Sequence, residues 1–168
     1  MENSRKQLTL FVQPLAAEII ESIREKFNPV QSELIKSHVT LCREDEIENI
    51  DGIIRNLSQL VHSKVSIELG EIQRFSNGKG VLLSGIDKYK EFENLRKIVL
   101  NGIVSNPRLQ QPHVTLMHPR NSTCTDEIFL QIKQFDFPAC LEFDRVSLIE
   151  QNSGGKWKVL EEFDLIRT

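Results

Sequence analysis

A chain of 168 residues with 39% hydrophobic and 27% charged residues is long enough to bury a core without staples and fits one domain. No run approaches the roughly 20 apolar residues of a membrane span, and Met1 to Lys6 does not resemble a signal peptide, so a cytoplasmic protein without membrane contact is expected. With 21 basic against 24 acidic residues, a net charge of −3 and no basic stripe, extended duplex nucleic acid is not an expected partner, and any nucleic-acid contact should be local.

Residues 6–12 read as a strand, and Pro14 opens the helix that follows, because a first helical turn accepts proline. Leu15, Ile19, Ile23 and Phe27 recur every four residues and predict one apolar stripe, ended by Asn28-Pro29. A short strand at 37–41 leads to a second helix carrying Ile47, Ile50, Ile54, Leu57 and Val61. Residues 65–75 and 79–86 read as a hairpin turned at Ser76-Asn77-Gly78. A third helix is expected over 89–103, a strand over 112–116 and a helix over 126–135. The chain closes on a hairpin that pairs 140–149 with 157–165 through Ser153-Gly154-Gly155.

The sequence repeats itself. His-Val-Thr-Leu begins at 38 and again at 113. A similar distance beyond each histidine comes a matching strand, Ile67-Glu68-Leu69-x-x-Ile72 and then Leu141-Glu142-Phe143-x-x-Val146. A turn and a Gly-Lys pair follow both, Gly78-Lys79 and Gly155-Lys156, each before an apolar strand. Four matches in the same order indicate an internal duplication. The expected fold is α+β and bilobal: a single domain over 1–168 built from two similar lobes about a pseudo-twofold axis, with antiparallel sheets facing a central groove and helices outside.

Successive side chains of a strand point to opposite faces, so His38 and Thr40 share one face, and His113 and Thr115 another, each pair about 7 Å apart. Two lobes packed about a twofold would set the pairs across a cleft. In-line phosphoryl transfer needs one group to take a proton from the nucleophile and another to protonate the leaving oxygen on the far side of phosphorus. Histidine performs either task near neutral pH. The threonine hydroxyls can hydrogen-bond the non-bridging oxygens where charge builds. A lone His-x-Thr is more often a surface or core feature; the identical tetrapeptide at equivalent places is what favours catalysis.

These paired motifs resemble the His-x-Thr/Ser-apolar signature of the two-histidine phosphoesterase superfamily, which includes 2′-5′ RNA ligase-like proteins and cyclic phosphodiesterases. The resemblance covers the opening strand and helix, both motifs and the hairpins after them. It implies a metal-free activity on a 2′,3′-cyclic phosphate of a nucleotide or a short RNA end, with His38 and His113 as the acid/base pair and Thr40 and Thr115 as phosphate contacts. It calls for no cofactor. Two alternatives stay open: 2′-5′ RNA end joining, and a non-catalytic module that binds nucleotides or RNA ends. The protein is expected to be a monomer.

Arg43 and Arg120 lie just past the motifs and are candidates for a second phosphate or a ribose oxygen. His118 falls by strand parity on the face opposite His113 and is expected in a loop or packing role, while His62 has no partner motif. Cys42 and Met117 share parity with the histidines and are expected near the groove, although nothing marks Cys42 as a nucleophile. Phe11 and Phe75 are expected to pack in the core rather than to stack on bases. No His-x-x-x-His pair or acidic cluster accompanies the motifs, so no metal site is expected. The cysteines Cys42, Cys124 and Cys140 lack Cys-x-x-Cys spacing and read as reduced thiols.

Overall fold

The computed structural model describes residues 3–86 and 89–166. In chain order the elements are β1 (Ser4–Phe11), α1 (Pro14–Phe27), α2 (Pro29–Leu34), β2 (His38–Cys42), a 3-10 turn (Glu44–Glu46), α3 (Ile50–Ser58), β3 (Val65–Arg74), β4 (Val81–Gly85), α4 (Lys90–Val99), β5 (His113–Met117), α5 (Asp126–Lys133), β6 (Cys140–Phe143), β7 (Arg145–Asn152) and β8 (Lys158–Asp164). The strands form one antiparallel sheet in the order β6-β3-β4-β5-β2-β1-β7-β8. The two motif strands, β2 and β5, are central neighbours, joined through Val39 and Val114, with three strands on either side. This is the expected antiparallel α+β arrangement about the histidine strands.

The sheet has to curl. Phe143 and Arg145 are separated by Asp144 alone, a span of at most about 7 Å. Yet β6 and β7 stand six strand steps apart, roughly 29 Å if the sheet were flat. Only strong curvature brings those strands together. Leu165 N–H closes the junction by donating to the Asp144 carbonyl at 2.8 Å.

The expected final hairpin forms between β7 and β8 through the turn at Ser153-Gly154-Gly155, but this crossing shortens its first strand. Residues 140–149 are not one strand: β6 pairs with β3, whereas β7 pairs with both β1 and β8. The two Gly-Lys turns are not equivalent in place either. Gly78-Lys79 leads into β4, an inner strand beside β5, and Gly155-Lys156 into the exposed edge strand β8. Beside the motif strands the matching neighbours are β1 and β4.

The helices bury their apolar faces against the sheet face that carries Val39, Leu41, Val114 and Leu116, in one core with Ile20, Ile23, Leu57, Phe92 and Ile132. Asn49 caps α3 by accepting from Gly52 N–H at 3.1 Å, and Thr125 caps α5 by accepting from Ile128 N–H at 3.2 Å. Asn28-Pro29 ends α1 as expected, but Pro29 also opens α2. Leu15 is 84% exposed, because a four-residue repeat drifts about 40° around a helix at each step. The buried face of α1 is instead Ala17, Ile20, Ile23 and Arg24. Val61 lies beyond the end of α3 and is also exposed. No helix among the described residues is long and apolar enough to cross a membrane.

Candidate active site

Both motif strands carry a bulge directly after the threonine. Thr9 pairs with Thr40, but Leu8 pairs with Cys42, so Leu41 is the extra residue of β2. On the other side Leu82 pairs with Thr115 and Val81 with Met117, which makes Leu116 the extra residue of β5. The burial patterns of the two strands are identical as a result. A bulge shifts side-chain parity by one. Leu41 and Cys42 therefore both enter the core, as do Leu116 and Met117. This corrects the expectation that Cys42 and Met117 reach the groove. Burial pushes the Cys42 thiol up to about 12, with Arg96 opposing, so it is no nucleophile at neutral pH.

The next residue on the open face is the third after each threonine, Arg43 on one strand and His118 past the other. Both line a cleft of about 490 Å³, and His118 thus joins the site that simple parity denied it. His38, Thr40, Arg43, His113, Thr115 and Arg120, the six residues singled out from the sequence, all line this cleft. His62 lies outside it, with Nδ1 2.7 Å from the Ser63 carbonyl.

The two imidazoles are held alike. His38 Nδ1 lies 2.8 Å from the carbonyl of Lys36, and His113 Nδ1 lies 3.3 Å from that of Gln111, each two residues earlier. A carbonyl only accepts, so Nδ1 carries the proton and Nε2 of each neutral ring keeps its lone pair. An aromatic edge steadies each ring: Phe11 at 6.2 Å from His38 and Phe75 at 5.9 Å from His113, centroid to centroid. Neither phenylalanine is in the buried core, which corrects that expectation; Phe75 lines the cleft.

The threonines differ in their support. Gln7 Nε2 donates to Thr40 Oγ1 at 3.0 Å and to Thr9 Oγ1 at 2.8 Å, which leaves the Thr40 hydroxyl proton free to be donated. Behind Thr40 a buried network fixes the strand. Gln110 Nε2 donates to the Thr40 carbonyl at 2.7 Å, and Arg96 donates to the Leu41 carbonyl, to Gln110 Oε1 at 3.3 Å and to Glu46 Oε1 at 2.6 Å.

The cleft is cationic although the chain is acidic overall. Arg5, Lys6 and Arg24 join Arg43 and Arg120 on its walls, against Glu44 as the carboxylate among its lining residues. Among the described residues Arg5, Arg43 and Arg120 have no carboxylate within 4.0 Å, whereas Arg74, Arg96, Arg108 and Arg145 all do. Arg24 is buried, donating from Nη2 to the Ile35 carbonyl at 2.8 Å and from Nη1 to Glu21 at 3.0 Å. Glu21 also accepts from Ser37 N–H and so ties α1 to the residue before His38.

Burial brings the His38 imidazole down to about 4; the Lys36 carbonyl opposes this, while Arg24 and His113 add to it. His113 is lowered by burial, with Arg43 adding and the Gln111 carbonyl opposing. Burial, then Arg120 and Arg5, lower His118. Burial, aided by the cations of the cleft, thus favours the neutral imidazoles, and a bound anion would favour their protonation. Among the described residues no three His, Cys, Asp or Glu side chains converge as a metal site.

Two equivalently anchored imidazoles on adjacent strands, each with a threonine beside it in a cationic cleft, are the arrangement of a two-histidine phosphoesterase. The chain belongs to the 2′-5′ RNA ligase superfamily, whose family model matches residues 11–155. In fold it is similar to Escherichia coli LigT complexed with NADP+ (16% identity, TM-score 0.68, covering 99% of this chain and 100% of that one). It is also similar to E. coli LigT complexed with 3′-AMP (16% identity, TM-score 0.67, 98% and 99%). A structure described as a phosphoesterase matches as well (14% identity, TM-score 0.65, 98% and 100%). No curated protein sequence matches significantly.

Proposed function

We propose that the protein hydrolyses a 2′,3′-cyclic phosphate of a nucleotide or RNA end, without a metal, through His38 and His113. The observation that carries this reading is the shared anchoring of both rings: each Nδ1 is tied to a backbone carbonyl, leaving Nε2 as the group that exchanges protons. One Nε2 takes a proton from water as its oxygen bonds to phosphorus. The other ring, protonated, gives its proton to the departing ribose oxygen as the P–O bond breaks, leaving a phosphomonoester and a free hydroxyl. Thr40 and Thr115 hydrogen-bond the non-bridging oxygens, and Arg43 and Arg120 offset the charge. The same reading takes residues 1–168 as one domain of two lobes, one per motif, and the matched bulges support it.

Binding of 3′-AMP by E. coli LigT fits a phosphomonoester product in such a cleft. A second reading is 2′-5′ end joining, the reverse of a related cleavage; the unpaired cations of the cleft favour it more than the net charge does. The test is hydrolysis of the four nucleoside 2′,3′-cyclic phosphates in EDTA, followed by phosphorus NMR, with a His38→Ala/His113→Ala control. Turnover that the double variant lacks is expected. Equal turnover by the double variant would remove the mechanism, and binding without turnover that survives both substitutions would leave a binding module.

A further inference from the structure

We infer that the end of the cleft between α2 and the β7–β8 turn is a subsite for a second nucleotide, so that the substrate is an oligoribonucleotide with a cyclic phosphate end rather than a cyclic mononucleotide. The inference rests on the phosphoesterase reading of the histidine pair. Thr9 lies opposite Thr40, and Arg5 stands four residues earlier on β1, roughly 13 Å along the strand. A phosphate held between the histidines leaves that distance for the residue on its 5′ side.

The far end is a built site. After β7 the chain turns through Ser153 and Gly154, both at positive φ, and Trp157 N–H donates to the Leu34 carbonyl at 2.9 Å. This seats the half-buried indole on the cleft wall. The Arg5 guanidinium lies 5.3 Å from the indole centroid and donates to Gln151 Oε1, while Gln151 Nε2 donates to the Gly155 carbonyl at 2.7 Å. The groups that hold Arg5 are neutral, and among the described residues no carboxylate lies within 4.0 Å of it, although neighbouring Lys6 is paired with Glu150 at 3.3 Å.

An indole with a guanidinium over its ring offers any base a stacking surface and the adjoining phosphate a positive charge, without reading sequence.

The test compares kcat/KM for cytidine 2′,3′-cyclic phosphate with that for di- and tetraribonucleotides ending in the same group. Stacking of one base predicts an oligonucleotide preference of at least roughly five-fold. Trp157→Ala and Arg5→Gln should bring the ratio towards one, and Trp157→Phe should restore it. Equal values for the two substrates in the wild-type protein, or an undiminished preference in Trp157→Ala, would overturn the subsite. If neither substrate turns over, the cyclic phosphodiesterase reading falls, and binding decides the subsite separately. Trp157 is the single tryptophan, so its fluorescence reports this end of the cleft. Tighter, quenching binding of an oligoribonucleotide 3′-phosphate than of a nucleoside 3′-monophosphate sustains the subsite, and equal affinity refutes it.

Discussion

Replacing Arg96 by Met should damage stability and activity together. The guanidinium is buried, bonds Glu46 at 2.6 Å, and satisfies the carbonyls of Leu41 and, at 3.1 Å, Arg108. Removing one partner of a buried pair costs about 3–5 kcal/mol. Glu46 would still accept from Arg43 N–H at 2.9 Å and from Arg108 Nε at 3.2 Å, so the lower end, about 3 kcal/mol, is expected. For a chain of this length that is a fall in Tm of roughly 6–12 °C. Urea unfolding followed by Trp157 fluorescence measures it directly. Burial works to raise the Glu46 carboxyl, but its bonds to Arg96, Arg43 and Arg108 hold it below the usual range. Arg96→Met/Glu46→Gln, which removes the stranded charge, should therefore be less destabilised than the two single variants summed. Because Arg96 anchors the bulge after Thr40, kcat/KM should fall as well. A destabilisation of Arg96→Met below about 1 kcal/mol would refute the reasoning.

Stability should fall as pH drops from about 6.5 towards about 4. The unfolded chain takes up a proton on His38 near the ordinary histidine value, while the folded chain resists until about 4. One such proton gives a slope of at most about 1.4 kcal/mol per pH unit, less for a partly exposed ring. Urea midpoints across that range should show it, and an equal slope in His38→Ala would assign the effect elsewhere. His38→Ala and His113→Ala should each lower kcat by roughly 10²- to 10⁴-fold with unfolding midpoints near wild type; full activity in either variant would remove that histidine from the mechanism. Gln7→Ala should cost about 1 kcal/mol of transition-state binding, near five-fold in kcat/KM, by freeing the Thr40 hydroxyl to rotate. An unchanged kcat/KM would show that the Gln7 contact does not orient Thr40.

The histidine and threonine pairs were legible because strand parity is local: two residues apart means one face, whatever the strand pairs with. What followed each pair was not legible. A bulge is a property of two strands in register, and nothing in Leu41-Cys42 or Leu116-Met117 announces it; parity therefore misplaced Cys42, Met117 and His118. The break at Asp144 was hidden for the same reason, since the 140–149 run is apolar enough for one strand and only its pairing with β3 and then β1 divides it. Net charge says nothing about the cleft for a different reason. Arg5, Arg24, Arg43 and Arg120 are scattered along the chain, and cations that meet only on the walls of a folded cleft leave no run of basic residues to read. The paired side chains of the candidate site lie in short motifs whose geometry is set within a few bonds. The shape and charge of its cleft come from long-range pairing, which a one-dimensional pattern does not encode.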